Sequence, residues 1–267
     1  MFAERTIPPL LATDEPPAVS ILRPQGQAPL LLVCDHASRQ VPRALADLGL
    51  PEAELSRHIG WDIGAAAVTE RLAARLDAPA VLTGYSRLVV DCNRRPDDPT
   101  SMPDISDGTA VPANRDLSDA GRRQRLEALF HPYHERIAAL LHGFQRRGVV
   151  PAVVSVHSFT PVMRGFQRPW HIGILWNRDP RIAVPLLAAL EAEGDLVVGD
   201  NEPYSARTGC GHTINTHCEP AGIPSVMLEI RQDLIADAAG AEAWAARLER
   251  LLRPILAAPA LRHRQVH

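Results

Sequence analysis

The chain has 267 residues, 46% apolar and 22% charged, with 28 basic against 31 acidic side chains and a formal charge of −3. This is the make-up of one large or two small globular domains and not of a disordered chain. The slight acidic excess argues against a nucleic-acid binder that works mainly by neutralising phosphates. All 28 basic residues are Arg. With no Lys there is no lysine Schiff base, no covalently held pyridoxal phosphate and no phosphate-loop lysine.

Residues 1–27 are Pro-rich and aperiodic, which predicts an arm laid on a single domain of residues 28–267. The start of the chain lacks the basic segment and apolar run of a signal peptide, and no stretch approaches the ~20 apolar residues of a membrane span. Cys34, Cys92, Cys210 and Cys218 show no C-x-x-C spacing. The expectation is a cytoplasmic protein with free thiols. Residues 28–34 form a continuous apolar run of strand length, as in a parallel sheet buried on both faces. Residues 62–76 read as an amphipathic helix, with Ile63, Ala66, Ala67, Leu72 and Leu76 available to one side. Residues 80–82 and 88–91 are short strand candidates, and the proline-punctuated stretch 92–117 is a long loop. A long helix is predicted over 118–147, with strands over 152–156 and 172–176. A helix follows over 180–193, with Pro180 in its first turn. Residues 197–198 and 224–230 are strand-like, and 241–256 make a last amphipathic helix. Strands alternating with helices predict an α/β domain with a mostly parallel sheet covered on both faces.

In such sheets ligands bind beyond the carboxyl ends of the strands. The apolar runs end in Asp35-His36, in Asp91-Cys92-Asn93-Arg94, in His157-Ser158 and in Glu229-Ile230-Arg231. Two histidines and a carboxylate arriving from strand ends suit a catalytic zinc, which takes three protein ligands and keeps a position open. His36 and His157 are the candidate nitrogens; singly, each reads better as a hydrogen-bonded core histidine, and it is the pair at matching strand ends that favours ligands. Asp62 is the candidate oxygen, with an N-cap of the following helix as the competing reading. Glu229 sits inside an apolar strand, so it is paired, metal-bound or raised in pKa. It is a candidate general base, or else half of a structural ion pair with an arginine. Arg87, Asn93 and Arg94 flank one segment; an Arg fork beside an Asn donor suits a substrate carboxylate. His131, His134 and His142 on the long helix read as solvated or capping residues. In 211–217, read as alternating, His217 is a candidate substrate contact.

The stretches Cys34-Asp35-His36-Ala37-Ser38, Trp61-Asp62-Ile63-Gly64-Ala65, Tyr85 to Arg94, Val156-His157-Ser158-Phe159, Gly199 to Tyr204 and Leu228 to Asp233 occur in this order. Taken together they resemble the N-formylglutamate amidohydrolase family, relatives of zinc carboxypeptidases and aspartoacylases. The resemblance implies a three-layer α/β/α sandwich with a mixed, mostly parallel central sheet. It also implies an amide hydrolase with one divalent metal, zinc being the expected ion, acting on a small N-acyl amino acid such as N-formyl-L-glutamate. It makes His36 and His157 metal ligands and Glu229 the general base. Arg87 becomes the group that polarises the scissile carbonyl, and Asn93 and Arg94 the holders of the substrate carboxylate. The wider superfamily's His-x-x-Glu metal motif is absent, because Arg39 stands three residues after His36; the carboxylate ligand is therefore assigned to Asp62. The competing readings are a peptidase or amidase of the same fold and a catalytically inactive module that binds an acidic ligand.

Overall fold

The computed structural model describes residues 9–267. Seven strands form the central sheet: β1 (Val19–Leu22), β2 (Leu30–Cys34), β3 (Ala80–Thr83), β4 (Ala152–Phe159), β5 (Ile172–Leu175), β6 (Val198–Asp200) and β7 (Ser225–Arg231). Their order across the sheet is β1-β3-β2-β4-β7-β5-β6. The four central strands β3, β2, β4 and β7 run parallel; at one side β1 pairs antiparallel to β3, and at the other β5 pairs antiparallel to β7 and parallel to β6. The sheet is mixed and mostly parallel, as the sequence predicts.

Residues 30–34 are completely buried because both faces of β2 are covered. Leu30, Leu32, Cys34, Val154, Val156, Val226 and Leu228 face a layer of three helices, α1 (Ala65–Leu76), α3 (Pro180–Glu191) and α5 (Ala238–Leu256). Leu31, Val33, Val153 and Met227 face the other layer, built from α2 (His131–Arg146), the turn around residues 85–92 and a short helix α4 (His212–His217). This is the three-layer arrangement. Side chains on a strand alternate between faces, so His157 and Glu229 share the second face with Val153 and Met227. The parallel register sets Glu229 beside His157, on strands about 4.8 Å apart.

Five segments depart from the sequence reading. Within the Pro-rich arm, residues 19–22 pair with β3 and close one sheet edge; residues 1–8 lie outside the described part. Residues 88–91 are a buried turn and not a strand. Their backbone groups are met locally and by side chains: the Val89 amide donates to Ser86 O (3.0 Å), Asn114 donates to Leu88 O (2.8 Å) and Arg125 to Val89 O (3.1 Å). Arg125 is only 2% exposed, and burial pushes its pKa down to about 10. The long helix is continuous but passes through a π-helical turn at Leu126–Phe130, just before Pro132; Pro has no amide hydrogen with which to complete a regular ladder. Residues 212–217 are helical and not extended. In α1 the inward face is Ala65, Val68, Thr69, Leu72, Ala73 and Leu76, so Ala66 and Ala67 are only partly buried.

Candidate active site

His36 follows the end of β2, while His157 lies within β4 close to its carboxyl end. Asp62 precedes α1 in a tight loop whose amide reaches back to His36 O at 3.0 Å. The helix itself is capped by Gly64, at φ 81° and with no side-chain cap. A Cβ at Gly64 would stand 2.2 Å from Ile235 O, so the chain passes there only as glycine. The carboxylate of Asp62 is thereby free of the capping role and turns into the cluster.

There the geometry is close to symmetrical. Asp62 Oδ2 lies 3.2 Å from His36 Nδ1 and 2.8 Å from His157 Nδ1. The far nitrogen of each ring has its own carboxylate: His36 Nε2 meets Asp91 Oδ1 at 2.7 Å, and His157 Nε2 meets Asp35 Oδ2 at 2.9 Å. Asp35 also accepts from Tyr133 (3.0 Å), Ser155 (3.0 Å) and Thr213. Asp91 accepts from Arg87 Nη2 at 2.7 Å and Nε at 3.1 Å. All these carboxylates are buried.

The electrostatics follow from that crowding. Burial opposes ionisation of Asp35, Asp62 and Asp91, but the histidines and, for Asp91, Arg87 hold all three well below the carboxylate range. Burial likewise opposes charging His157, yet its hydrogen bonds to Asp35 and Asp62 raise its pKa; for His36, burial and Arg87 oppose charging and are outweighed by Asp91 and Asp62. The ligating atoms of His36, Asp62 and His157 all lie within 4.8 Å of one another. Two imidazole nitrogens and one carboxylate, each ring oriented from behind by a second carboxylate, fit a divalent metal centre. Arg39, at the position of the missing glutamate, turns outward to Glu52 at 2.6 Å.

These residues floor a cleft of about 610 Å³ that also exposes Arg87, Asn93, Arg94, Tyr204 and Glu229. Glu229 is 8% exposed and its Oε2 has no hydrogen-bond partner among the described residues. Burial pushes its pKa up to about 7. Arg87 is pinned by Asp91 and reaches Asp62 Oδ1 at 3.4 Å. Arg94 is looser, 3.7 Å from Asp91 and 3.8 Å from Asp98, and 41% of its side chain is exposed. Asn93 is partly committed: its Oδ1 accepts from the Thr213 amide at 3.0 Å and its Nδ2 lies 3.4 Å from His157 Nε2.

Of the residues singled out from sequence, the structure brings His36, Asp62, His157, Arg87, Asn93, Arg94 and Glu229 to one cleft. His217 is not in its lining; the ring is paired instead with His134, and the cleft wall is formed by His212 from the start of the same helix. Sequence reading gave no role to Asp35 and Asp91, although each stood beside a singled-out residue at a run's end. It also passed over Arg168, whereas Tyr204, from the turn 201–204 whose polar groups the sequence offers to this cleft, does line it. Arg168, 8% exposed, donates to the Tyr204 hydroxyl at 3.1 Å and lies over the rings of Tyr204 and Phe159. It forms no ion pair among the described residues and stands behind Tyr204, outside the cleft's lining.

The N-formylglutamate amidohydrolase family profile matches residues 28–236. The chain belongs to that family. It is similar over nearly its whole length to a gene product of Agrobacterium tumefaciens, at 40% identity and TM-score 0.90, covering 92% of this chain and 98% of the other. It shares its fold with an N-formylglutamate amidohydrolase from Ralstonia eutropha, at 21% identity and TM-score 0.61, covering 90% and 95% of the two chains. No curated protein matches the chain. As a member of the N-formylglutamate amidohydrolase family the protein is a hydrolase of amide bonds. Among the described residues no helix is long and apolar enough to cross a membrane, and all four cysteines are free thiols.

Proposed function

We propose that the protein is a metal-dependent amidohydrolase that cleaves an N-acyl amino acid, with N-formyl-L-glutamate the leading candidate, into the free amino acid and a carboxylic acid. The observation that carries this reading is Glu229. It is a buried carboxyl with one oxygen unpaired, opening on the same cleft as the His36, Asp62 and His157 cluster.

His36, Asp62 and His157 would hold the ion, with zinc favoured by the two-nitrogen, one-oxygen donor set. When bound, such an ion supplies Lewis-acid polarisation of a carbonyl and acidification of water. The chain's own groups do the rest. Glu229, with a pKa near neutrality, takes a proton from the attacking water and hands it to the leaving nitrogen. Arg87, fixed by Asp91, presents positive charge where the carbonyl oxygen becomes negative. Arg94, tethered only loosely, is free to clamp the substrate carboxylate with its fork, and an N–H of Asn93 adds a neutral donor. Behind Tyr204, outside the cleft's lining, Arg168 carries a charge that forms no ion pair among the described residues. Its donation to the Tyr204 oxygen leaves the hydroxyl proton free to point at a ligand. A second acidic group on the substrate suits that end, which supports glutamate over a neutral amino acid. The substrate is accordingly a small molecule.

The test is metal analysis of purified protein together with a panel of N-acyl amino acids. A stoichiometric divalent metal and preference for N-formyl-Glu over N-formyl-Leu are expected. Metal-free protein that is fully active would refute the reading, as would equal rates on the two substrates for its substrate part.

A further inference from the structure

The histidines of α2 and α4 take no part in the chemistry above, yet two of them are joined. His134 Nδ1 lies 2.9 Å from His217 Nε2, and His134 Nε2 lies 2.9 Å from the Cys92 carbonyl. A carbonyl only accepts, so His134 carries its proton on Nε2 and offers a lone pair on Nδ1. His217 must then donate from Nε2. Burial, with His217 beside it, holds the pKa of His134 down to about 4, so the acceptor survives at neutral pH.

Both helices joined by this bond also touch the carboxylate behind His157. Tyr133, next to His134, donates to Asp35 Oδ1 at 3.0 Å, and Thr213, four residues before His217 on α4, donates to the same oxygen. Asn93 grips the first turn of α4 through the amides of His212 and Thr213. The His134–His217 bond grips its last residue. α4 is only six residues long and its cap, Gly211, offers no side chain; a helix this short does not hold its place by its own backbone bonds.

We infer that His134 and His217 are positioning residues: their hydrogen bond fastens α4 so that Thr213 stays on Asp35, and Asp35 in turn fixes the orientation of His157 in the metal-binding cluster. The inference rests on the proposed metal site. It gives His217 a role behind the site and not in contact with substrate. Partners standing behind metal-binding histidines are commonly worth 10–100-fold in metal affinity. At one further remove, a loss of about 10-fold is expected for His217→Ala.

The experiment measures zinc affinity by competition with a chelating dye for the full chain and for His217→Ala, His217→Gln and Thr213→Val, with circular dichroism and melting to confirm folding. Gln places its Nε2 where the imidazole Nε2 stood, so His217→Gln should bind within about threefold of wild type while His217→Ala falls about 10-fold. Thr213→Val removes the hydroxyl on Asp35 directly and should lose at least as much. In nitrogen NMR, His134 Nδ1 should report an unprotonated, hydrogen-bonded nitrogen, and that signature should change in His217→Ala. A folded His217→Ala that binds zinc like wild type would overturn the inference, as would Gln and Ala being equally weak. If His217→Ala does not fold, Thr213→Val binding like wild type would overturn it. A wild-type protein that binds no zinc would instead refute the metal site itself.

Discussion

Replacing Glu229 by Gln tests the proposed base through both activity and stability. The side chain is 8% exposed with one oxygen unpartnered, and burial moves its pKa from about 4.5 to about 7. A displacement of that size corresponds to about 3 kcal/mol. The fold favours the neutral carboxyl, so Glu229's contribution to stability is fully present below its unfolded value near 4.5. It is lost as pH rises through about 7. Gln is neutral at every pH. Metal-stripped Glu229→Gln should therefore match the wild type at pH 4.5 and exceed it by up to about 3 kcal/mol at pH 8 and above, as read by urea unfolding across that range. Metal-loaded Glu229→Gln should meanwhile lose roughly 10²–10⁴-fold in kcat with little change in KM and should keep its metal. A variant no more stable than wild type at pH 8 would show that the carboxyl is not desolvated, and the argument for a base poised near neutrality would fail. Loss of metal would show that Glu229 is a ligand.

His36→Ala and His157→Ala should each abolish stoichiometric metal in metal analysis while circular dichroism still reports an α/β domain, and Asp62→Asn should weaken binding sharply by removing the proposed carboxylate ligand while leaving α1, which Asp62 does not cap, intact. Without metal, the raised pKa values of His36 and His157 keep protons on the Nδ1 atoms that a metal would take; dye competition between pH 6 and 8 should show affinity rising with pH, with up to two protons released. Arg94→Ala should raise KM about 10–150-fold, the equivalent of a charge-assisted hydrogen bond worth about 1.5–3 kcal/mol, and leave kcat nearly unchanged. Arg168→Gln should cut kcat/KM for N-formyl-Glu about 10-fold or more and spare N-formyl-Leu; an equal loss on both would assign Arg168 to structure alone.

The fold was legible wherever burial on two faces writes itself as an unbroken apolar run, as in residues 30–34, 152–156 and 225–230. It was not legible where the backbone's partners come from far away. Leu88, Val89 and Val90 have the composition of a strand, yet Asn114, late in the long loop, and Arg125, beyond it, take the carbonyls of Leu88 and Val89 and hold the segment in a turn. Residues 19–22, Val-Ser-Ile-Leu, are a short run set in a Pro-rich segment, and they pair with β3 along its free edge. The alternation read into 211–217 failed for a similar reason. Asn93, more than a hundred residues away, collects the first amides of a helix that has no capping side chain of its own.

At the site the sequence disclosed which residues meet but not how their charges balance. Asp35, Asp62 and Asp91 are all buried and all ionised, and the closest positive charge is a single guanidinium, Arg87, with 27% of its side chain exposed. Three buried carboxylates against Arg87, with the half-exposed Arg94 contributing only from 3.7 Å, would leave net negative charge in a low-dielectric pocket, which a fold does not sustain without compensation. In the metal-free protein that compensation is protonation of His36 and His157, whose pKa values are raised for this reason. A divalent cation taking the two Nδ1 positions restores the same balance without those protons. The backing aspartates that sequence reading left without a role therefore set the cluster's charge, and under the proposed function that charge would suit a doubly charged ion better than a monovalent one.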